Sequence, residues 1–138
     1  MVEDDIKLEK VTSQDALFLY NLLKERNPDA NISHKKMPTY SEHVKFLNSS
    51  PYDKWYVIKL KNKKVGSIYL TRQNEIGIFL KKNMQGKNIA KKSLQILMKT
   101  NPKKRYLANV SPKNKKSIQF FKNNGFKLIQ YTYEFNSV

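Results

Sequence analysis

The chain has 138 residues, with 27 Lys plus Arg against 11 Asp plus Glu (formal net charge +16), 39% hydrophobic and 12% aromatic residues, and no cysteine. That length implies one domain, residues 1–138, burying about two-thirds of its unfolded surface, while zero cysteines exclude disulfides, thiolate metal sites, iron–sulfur clusters and a cysteine nucleophile. Two histidines, His34 and His43, exclude a histidine-rich metal centre, so no metal is expected; with no apolar run near the ~20 residues of a membrane span and an acidic start, Val2-Glu3-Asp4-Asp5, unlike a targeting peptide, the chain is expected to be soluble, cytoplasmic and off the membrane.

Asp5 to Val11 reads as a first strand, followed by Thr12 or Ser13 as N-cap and a helix carrying Ala16, Leu19, Tyr20, Leu22 and Leu23. Pro28 disfavours helical geometry at Asn27 and stops that helix near Arg26. Asn27 to Pro38 is then a loop long enough to suggest binding. Thr39-Tyr40-Ser41-Glu42 has capping-box spacing and opens a second helix bearing Tyr40, Val44 and Leu47, with Phe46 beside them.

The period then changes. Trp55 to Leu60 and Val65 to Thr71, joined by the polar turn Lys61 to Lys64, read as an antiparallel hairpin, and Glu75 to Leu80 as the next strand. A helix from about Gly86 to Thr100 sets Ala90, Leu94, Leu97 and Met98 against a cationic face of Lys91, Lys92, Gln95 and Lys99. Tyr106 to Val110 and Lys127 to Phe135 read as two more strands, around a helix from about Asn114 to Asn123 that buries Ile118 and Phe121. The expected fold is a mixed α/β domain: a mostly antiparallel, twisted sheet of six strands flanked by four helices.

Charge is uneven along this order: residues 1–30 hold four basic and seven acidic side chains, whereas 81–127 hold 14 basic ones and no acid. An anion is therefore expected at the second half. The stretch Asn74 to Ala90 runs from a strand through a polar loop into a helix, which presents unpaired N–H groups to such an anion. It lacks both the nucleotide P-loop and the dinucleotide glycine spacing, which disfavours a kinase or a dehydrogenase.

Gln85-Gly86-Lys87-Asn88-Ile89-Ala90 resembles the pyrophosphate loop Gln/Arg-x-x-Gly-x-Gly/Ala of the GNAT superfamily of acetyl-CoA-dependent N-acetyltransferases, with Asn88 in place of the central Gly. Asn tolerates the left-handed geometry that the position asks for. Asn114-Lys115-Lys116-Ser117 through Phe121 to Gly125-Phe126 resembles the later motif of the same family. The resemblance covers nearly the whole chain and implies a sheet splayed into a V, with acetyl-CoA as cosubstrate in the gap. It implies that the backbone of Ile78 and Leu80 pairs with pantetheine, that Gln85, Gly86, Lys87, Asn88, Ile89 and Ala90 hold the pyrophosphate, and that Asn114 and Phe121 meet the cofactor from the other arm.

Direct transfer to an amine needs a base, an oxyanion donor and a proton for the leaving thiolate. By the resemblance, Glu75 sits where relatives carry the base; its plainer reading is a strand-end carboxylate. The oxyanion donor is expected to be a backbone N–H near Leu80. Relatives carry Tyr where this chain has Phe121, so the proton is left to Ser117 or to water. The Asn114-x-x-Ser117 pattern is similar to the subgroup that acetylates ribosomal proteins and sugar nucleotides. Arg26-Asn27-Pro28, Pro38-x-x-Ser41-Glu42-His43-x-x-Phe46 and the Glu75 strand resemble enzymes acting on the amino sugar of a nucleotide-linked sugar, which implies acceptor contacts at Asn27 and His43. The acceptor class is a small-molecule or peptide amine. Few residues follow Gly125-Phe126, so one side of the acceptor site is expected to be open or completed by a second subunit in a homodimer. Two other readings stand beside this one: a basic nucleic-acid-binding module, disfavoured because no recognition motif is present, and a catalytically impaired acyl-CoA-binding GNAT-like protein, motivated by Phe121 and Asn88.

Overall fold

The computed structural model describes residues 5–26, 37–86 and 88–137. Chain order is β1 (Ile6–Lys10), a short 3-10 turn, α1 (Ala16–Glu25), α2 (Tyr40–Asn48), β2 (Lys54–Leu60), β3 (Lys63–Leu70), β4 (Ile76–Leu80), α3 (Ile89–Thr100) and α4 (Lys115–Asn123). The four strands form one antiparallel sheet in sequence order.

Local chemistry accounts for most boundaries. Thr12 and Asp15 cap each other ahead of α1, and Thr39 and Glu42 do the same for α2, so both capping boxes satisfy N–H groups that a helix start leaves unpaired. The β2–β3 hairpin closes on Lys61 and Asn62, whose φ of 50° and 68° give the left-handed pair that matches strand twist. α3 begins at Ile89 rather than Gly86, because Gly86 and Asn88 hold φ of 79° and 60°, which no helix admits.

Each face of the sheet is covered. Ile58, Ile68, Leu70 and Ile76 pack against Ile89, Leu94 and Leu97 of α3. On the other face Ala16, Leu19 and Leu47 meet Trp55, whose Nε1–H donates to the buried Ser67 hydroxyl at 2.9 Å. Asp15 locks α1 to this layer: its carboxylate accepts from the Thr12 N–H and pairs with Lys64 at 2.7 Å. Burial pushes the Asp15 carboxyl up, but Lys64 and Thr12 outweigh it and hold it below its usual value.

Two expected strands are corrected. Tyr106 to Val110 contributes one parallel bridge, Leu107 to Glu75, and then diverges from β4. Lys127 to Phe135 is not a strand, because it makes no backbone hydrogen bond with any described residue. α4 keeps Ile118 and Phe121 half-buried rather than buried. Among the described residues, no helix is long and apolar enough to cross a membrane, and no cluster of His, Asp and Glu is placed to hold a metal ion.

Candidate active site

The backbone of β4 sets the site. Glu75 O accepts from Thr71 N, and Lys81 N donates to Val65 O, so the odd-numbered residues of β4 turn their polar groups to β3. Ile76 N instead donates to Leu107 O at 2.8 Å. Since successive strand residues alternate edges, Ile78 and Leu80 turn their N–H and C=O away from β3. There the chain from Leu107 has already parted from β4, and a cleft of about 780 Å³ opens between the two arms.

The cleft is lined by Ile78 and Leu80 of β4, by Gln85, Gly86 and Ala90 at the start of α3, and by Asn114, Ser117 and Phe121 of α4. Gly86 is solvent-open, with nothing within 4 Å of a β-carbon placed there, so its glycine serves the positive φ and not a close contact. Asn88 makes no side-chain cap to α3. The first turn of α3 thus offers N–H groups to a ligand. Opposite, Asn114 Oδ1 accepts from the Ser117 N–H at 3.2 Å, which aligns both residues on the cleft wall.

Other expected site residues fall elsewhere. Glu75 is half-buried where β4 and the Leu107 segment touch and is not among the residues that line the cleft, its carboxylate accepting from the Thr71 hydroxyl at 3.1 Å and from the Asn109 side-chain amide. Ile89 is fully buried in the core, so its side chain is unavailable and only its backbone remains for a ligand. His43 is a correction. α2 turns it inward with Leu47, one helical turn on, and its ring packs 5.4 Å from that of Tyr20, not on the cleft. Burial pushes its imidazole below the usual value. Asn27 and Lys87 lie outside the described residues.

A second wall is made by Leu22, Glu25, Arg26, Tyr69 and Phe79, of which only Arg26 stood in a motif that the sequence had pointed to the acceptor. The Arg26 guanidinium lies 4.3 Å from the Phe79 ring centroid, and Tyr69 stacks on Tyr52 at 3.9 Å and 4°. Burial pushes both tyrosine hydroxyls up, so they stay protonated and remain donors. Burial pushes Arg26 down, with Tyr69 and Tyr52 opposing the shift. The available signal was Gly77, since a glycine inside a strand marks a close approach.

The family model for acetyltransferases of the GNAT type matches residues 17–126. The chain belongs to the acetyltransferase (GNAT) family. As a member, it is an N-acetyltransferase that draws on acetyl-CoA. Comparison with curated proteins yields no match. Among solved structures, a domain from Methanocaldococcus jannaschii is similar at TM-score 0.80 and 25% identity, over 94% of this chain and 92% of that one. An acetyltransferase from Thermus thermophilus gives 0.73 and 19%, over 94% and 92%. RimL, a ribosomal L7/L12 α-N-protein acetyltransferase in complex with coenzyme A, gives 0.73 and 20%, over 94% and 84%.

Proposed function

We propose that acetyl-CoA and an acceptor amine meet in this cleft and that the acetyl group passes directly between them. One observation carries the reading: the backbone of Ile78 and Leu80 faces an open gap, and a free strand edge takes an extended amide chain such as pantetheine as one more strand. Gln85, Gly86 and Ala90, with the N–H groups at the start of α3, suit a pyrophosphate, and Lys87, Lys91 and Lys92 add positive charge. Asn114 and Phe121 complete the opposite wall.

Bound acetyl-CoA supplies the activated acetyl group. The chain supplies the rest. Glu75 takes the ammonium proton of the acceptor, directly or through water, and a backbone N–H near Leu80 donates to the oxygen on which negative charge develops. Ser117 returns a proton to the departing sulfur. The acceptor enters along Arg26, Tyr69 and Phe79, a basic and aromatic wall that suits a ring-bearing anion such as the amino sugar of a nucleotide-linked sugar.

A thiol-release screen with acetyl-CoA against amino sugars, nucleotide-linked amino sugars, polyamines and N-terminal peptides tests this. Release with a nucleotide-linked amino sugar supports the whole reading, and release with polyamines or peptides alone removes the sugar class. A CoA-dependent rise in melting temperature with no release from any amine would identify an impaired acyl-CoA binder. The 14 uncompensated cations of residues 81–127 favour one further reading, nucleic-acid binding, which tight oligonucleotide binding at physiological salt would support.

A further inference from the structure

Glu25 is the last residue of α1 and, among the described residues, the one carboxylate that lines the cleft, where it stands against Arg26, Lys82, Lys113, Lys115 and Lys116. On charge alone it is badly placed: an acid at a helix C-terminus faces the negative end of the dipole, and in this cleft it repels the phosphates of a cofactor. Its contribution has to come from a bond. Glu25 Oε1 accepts from the backbone N–H of Lys82 at 3.0 Å, a contact between residues 57 apart in the chain.

Lys82 opens the 3-10 turn Lys82–Met84, which joins Leu80 at the free edge of β4 to Gln85 at the start of the anion loop. The first N–H groups of such a turn have no partner within it, and Glu25 supplies one. The N–H of Lys81 donates to Val65 O at 2.9 Å and that of Met84 to Lys81 O at 2.9 Å, so backbone ties the turn to β3 while the Glu25 side chain ties it to α1. Fully extended, the stretch from Leu80 to Gln85 could reach roughly 17 Å, whereas a 3-10 turn rises only about 2.0 Å per residue. The turn therefore sets the distance between strand edge and loop. Arg26, the next residue, holds the Phe79 ring, so the end of α1 meets both β4 and the turn that follows it.

With its pantetheine on β4 and its pyrophosphate at the loop, CoA is a two-ended ligand, and linked ends bind tightly only where the protein holds both subsites at the matching spacing. We propose that Glu25 is a positioning residue for the cofactor: by holding Lys82 it fixes that spacing, and so makes the site select a full-length CoA thioester over shorter pantetheine or phosphopantetheine thioesters. It acts through the turn and not by touching the ligand. The proposal rests on the assignment of the cleft to CoA.

Calorimetric titration of the full chain with CoA and with 3′-phospho-ADP, which is its nucleotide end without pantetheine, separates the spacing from the strength of one end. Glu25→Ala is expected to raise the CoA dissociation constant about tenfold, the scale of one lost hydrogen bond to a charged group, and to leave that of 3′-phospho-ADP unchanged within about twofold. Glu25→Gln, whose amide oxygen still accepts from the Lys82 N–H, is expected to keep CoA binding close to that of the wild type. Three results would overturn the proposal. Unchanged CoA binding in Glu25→Ala would leave the bond without effect, equal losses for the two ligands would make it a support of the loop alone, and tighter CoA binding in both variants would reduce Glu25 to its charge. A wild-type chain that binds neither ligand would remove CoA from the cleft and the proposal with it, whereas wild-type binding followed by any of those three results sinks the positioning role alone.

Discussion

Gly77 makes room for Tyr69: a β-carbon at position 77 would overlap Cζ, Cε2 and the hydroxyl of the tyrosine ring that crosses it from β3. The ring is backed by Tyr52 and lines the acceptor side of the cleft, so the glycine fixes where that wall stands. Gly77→Ala is expected to displace Tyr69 and to cost about 1–3 kcal/mol of stability, as overpacking does. In kinetics, KM for the acceptor should rise more than KM for acetyl-CoA. Equal rises in both would mean that Tyr69 does not face the acceptor.

Glu75 is anchored by the Thr71 hydroxyl and the Asn109 amide at the point where β4 and the Leu107 segment touch. If it takes the acceptor's proton, Glu75→Gln should lower kcat by about 10²-fold or more and leave the dissociation constant for CoA nearly unchanged, because amide and carboxylate fill the same space. Stopped-flow turnover beside a CoA titration reads both. A variant that loses CoA affinity while keeping kcat would reassign Glu75 as a clamp between β4 and the Leu107 segment.

Ser117 and Phe121 lie one helical turn apart on the cleft wall, and a phenyl ring has no proton to give. Ser117→Ala is expected to slow turnover about tenfold, less than most acid–base losses because a thiolate leaves readily. Adding Phe121→Tyr to that variant should restore part of the rate. Unchanged turnover in Ser117→Ala would hand the proton to water.

Much of this site is written in the sequence, because its signals are local. Glycine at 86 and Asn at 88 announce left-handed turns, Asn114 announces a helix start, and the period-2 run of β4 announces a free or paired edge. Residues whose roles depend on distant partners were not legible. His43 flanks the apolar stripe of its helix in sequence, and only the packing of α2 turns it onto Tyr20. Tyr52, Tyr69, Phe79 and Arg26 come from four separate stretches and meet through β-register and the end of α1. The pattern of the tail reads as a strand, but alternation reports only a chain's capacity to pair and says nothing of whether a neighbour is present.

Gly86 and Asn88 give a paired test of the anion loop. Gly86→Ala has space for its methyl group but must hold φ near 79°, so the expected cost is strain of about 1 kcal/mol, with weaker CoA binding as the loop relaxes. Asn88→Gly relieves a non-glycine residue at φ 60° and should leave stability and CoA affinity equal or improved. Thermal shift across a CoA titration measures both effects, since ligand stabilises only the fold that binds it. A loss of CoA affinity in Gly86→Ala with none in Asn88→Gly is expected; CoA affinity unchanged in Gly86→Ala would place the pyrophosphate elsewhere.

Stability against acid should fall in two separate steps. His43 is buried with no hydrogen-bond partner for Nε2 among the described residues, so charging its ring is disfavoured in the fold and its pKa lies below the usual 6.5. Between the folded value and 6.5 the unfolded chain binds more protons, and linkage then requires stability to fall as pH falls through that window. Above 6.5 the term vanishes. Asp15 acts lower on the scale: Lys64 and the Thr12 N–H hold its carboxyl below 3.8 against the opposing effect of burial. Its contribution is complete above 3.8 and is lost as pH falls through the folded value. Urea midpoints measured from pH 8 down to pH 3 should therefore show a first decline beginning near 6.5 and a second below 3.8. His43→Leu should abolish the first and spare the second, whereas Lys64→Met should abolish or reverse the second, because without the cation burial opposes the depression of the Asp15 carboxyl on which that decline depends. An unchanged first decline in His43→Leu would mean that another group titrates there and that the buried imidazole has no part in acid sensitivity.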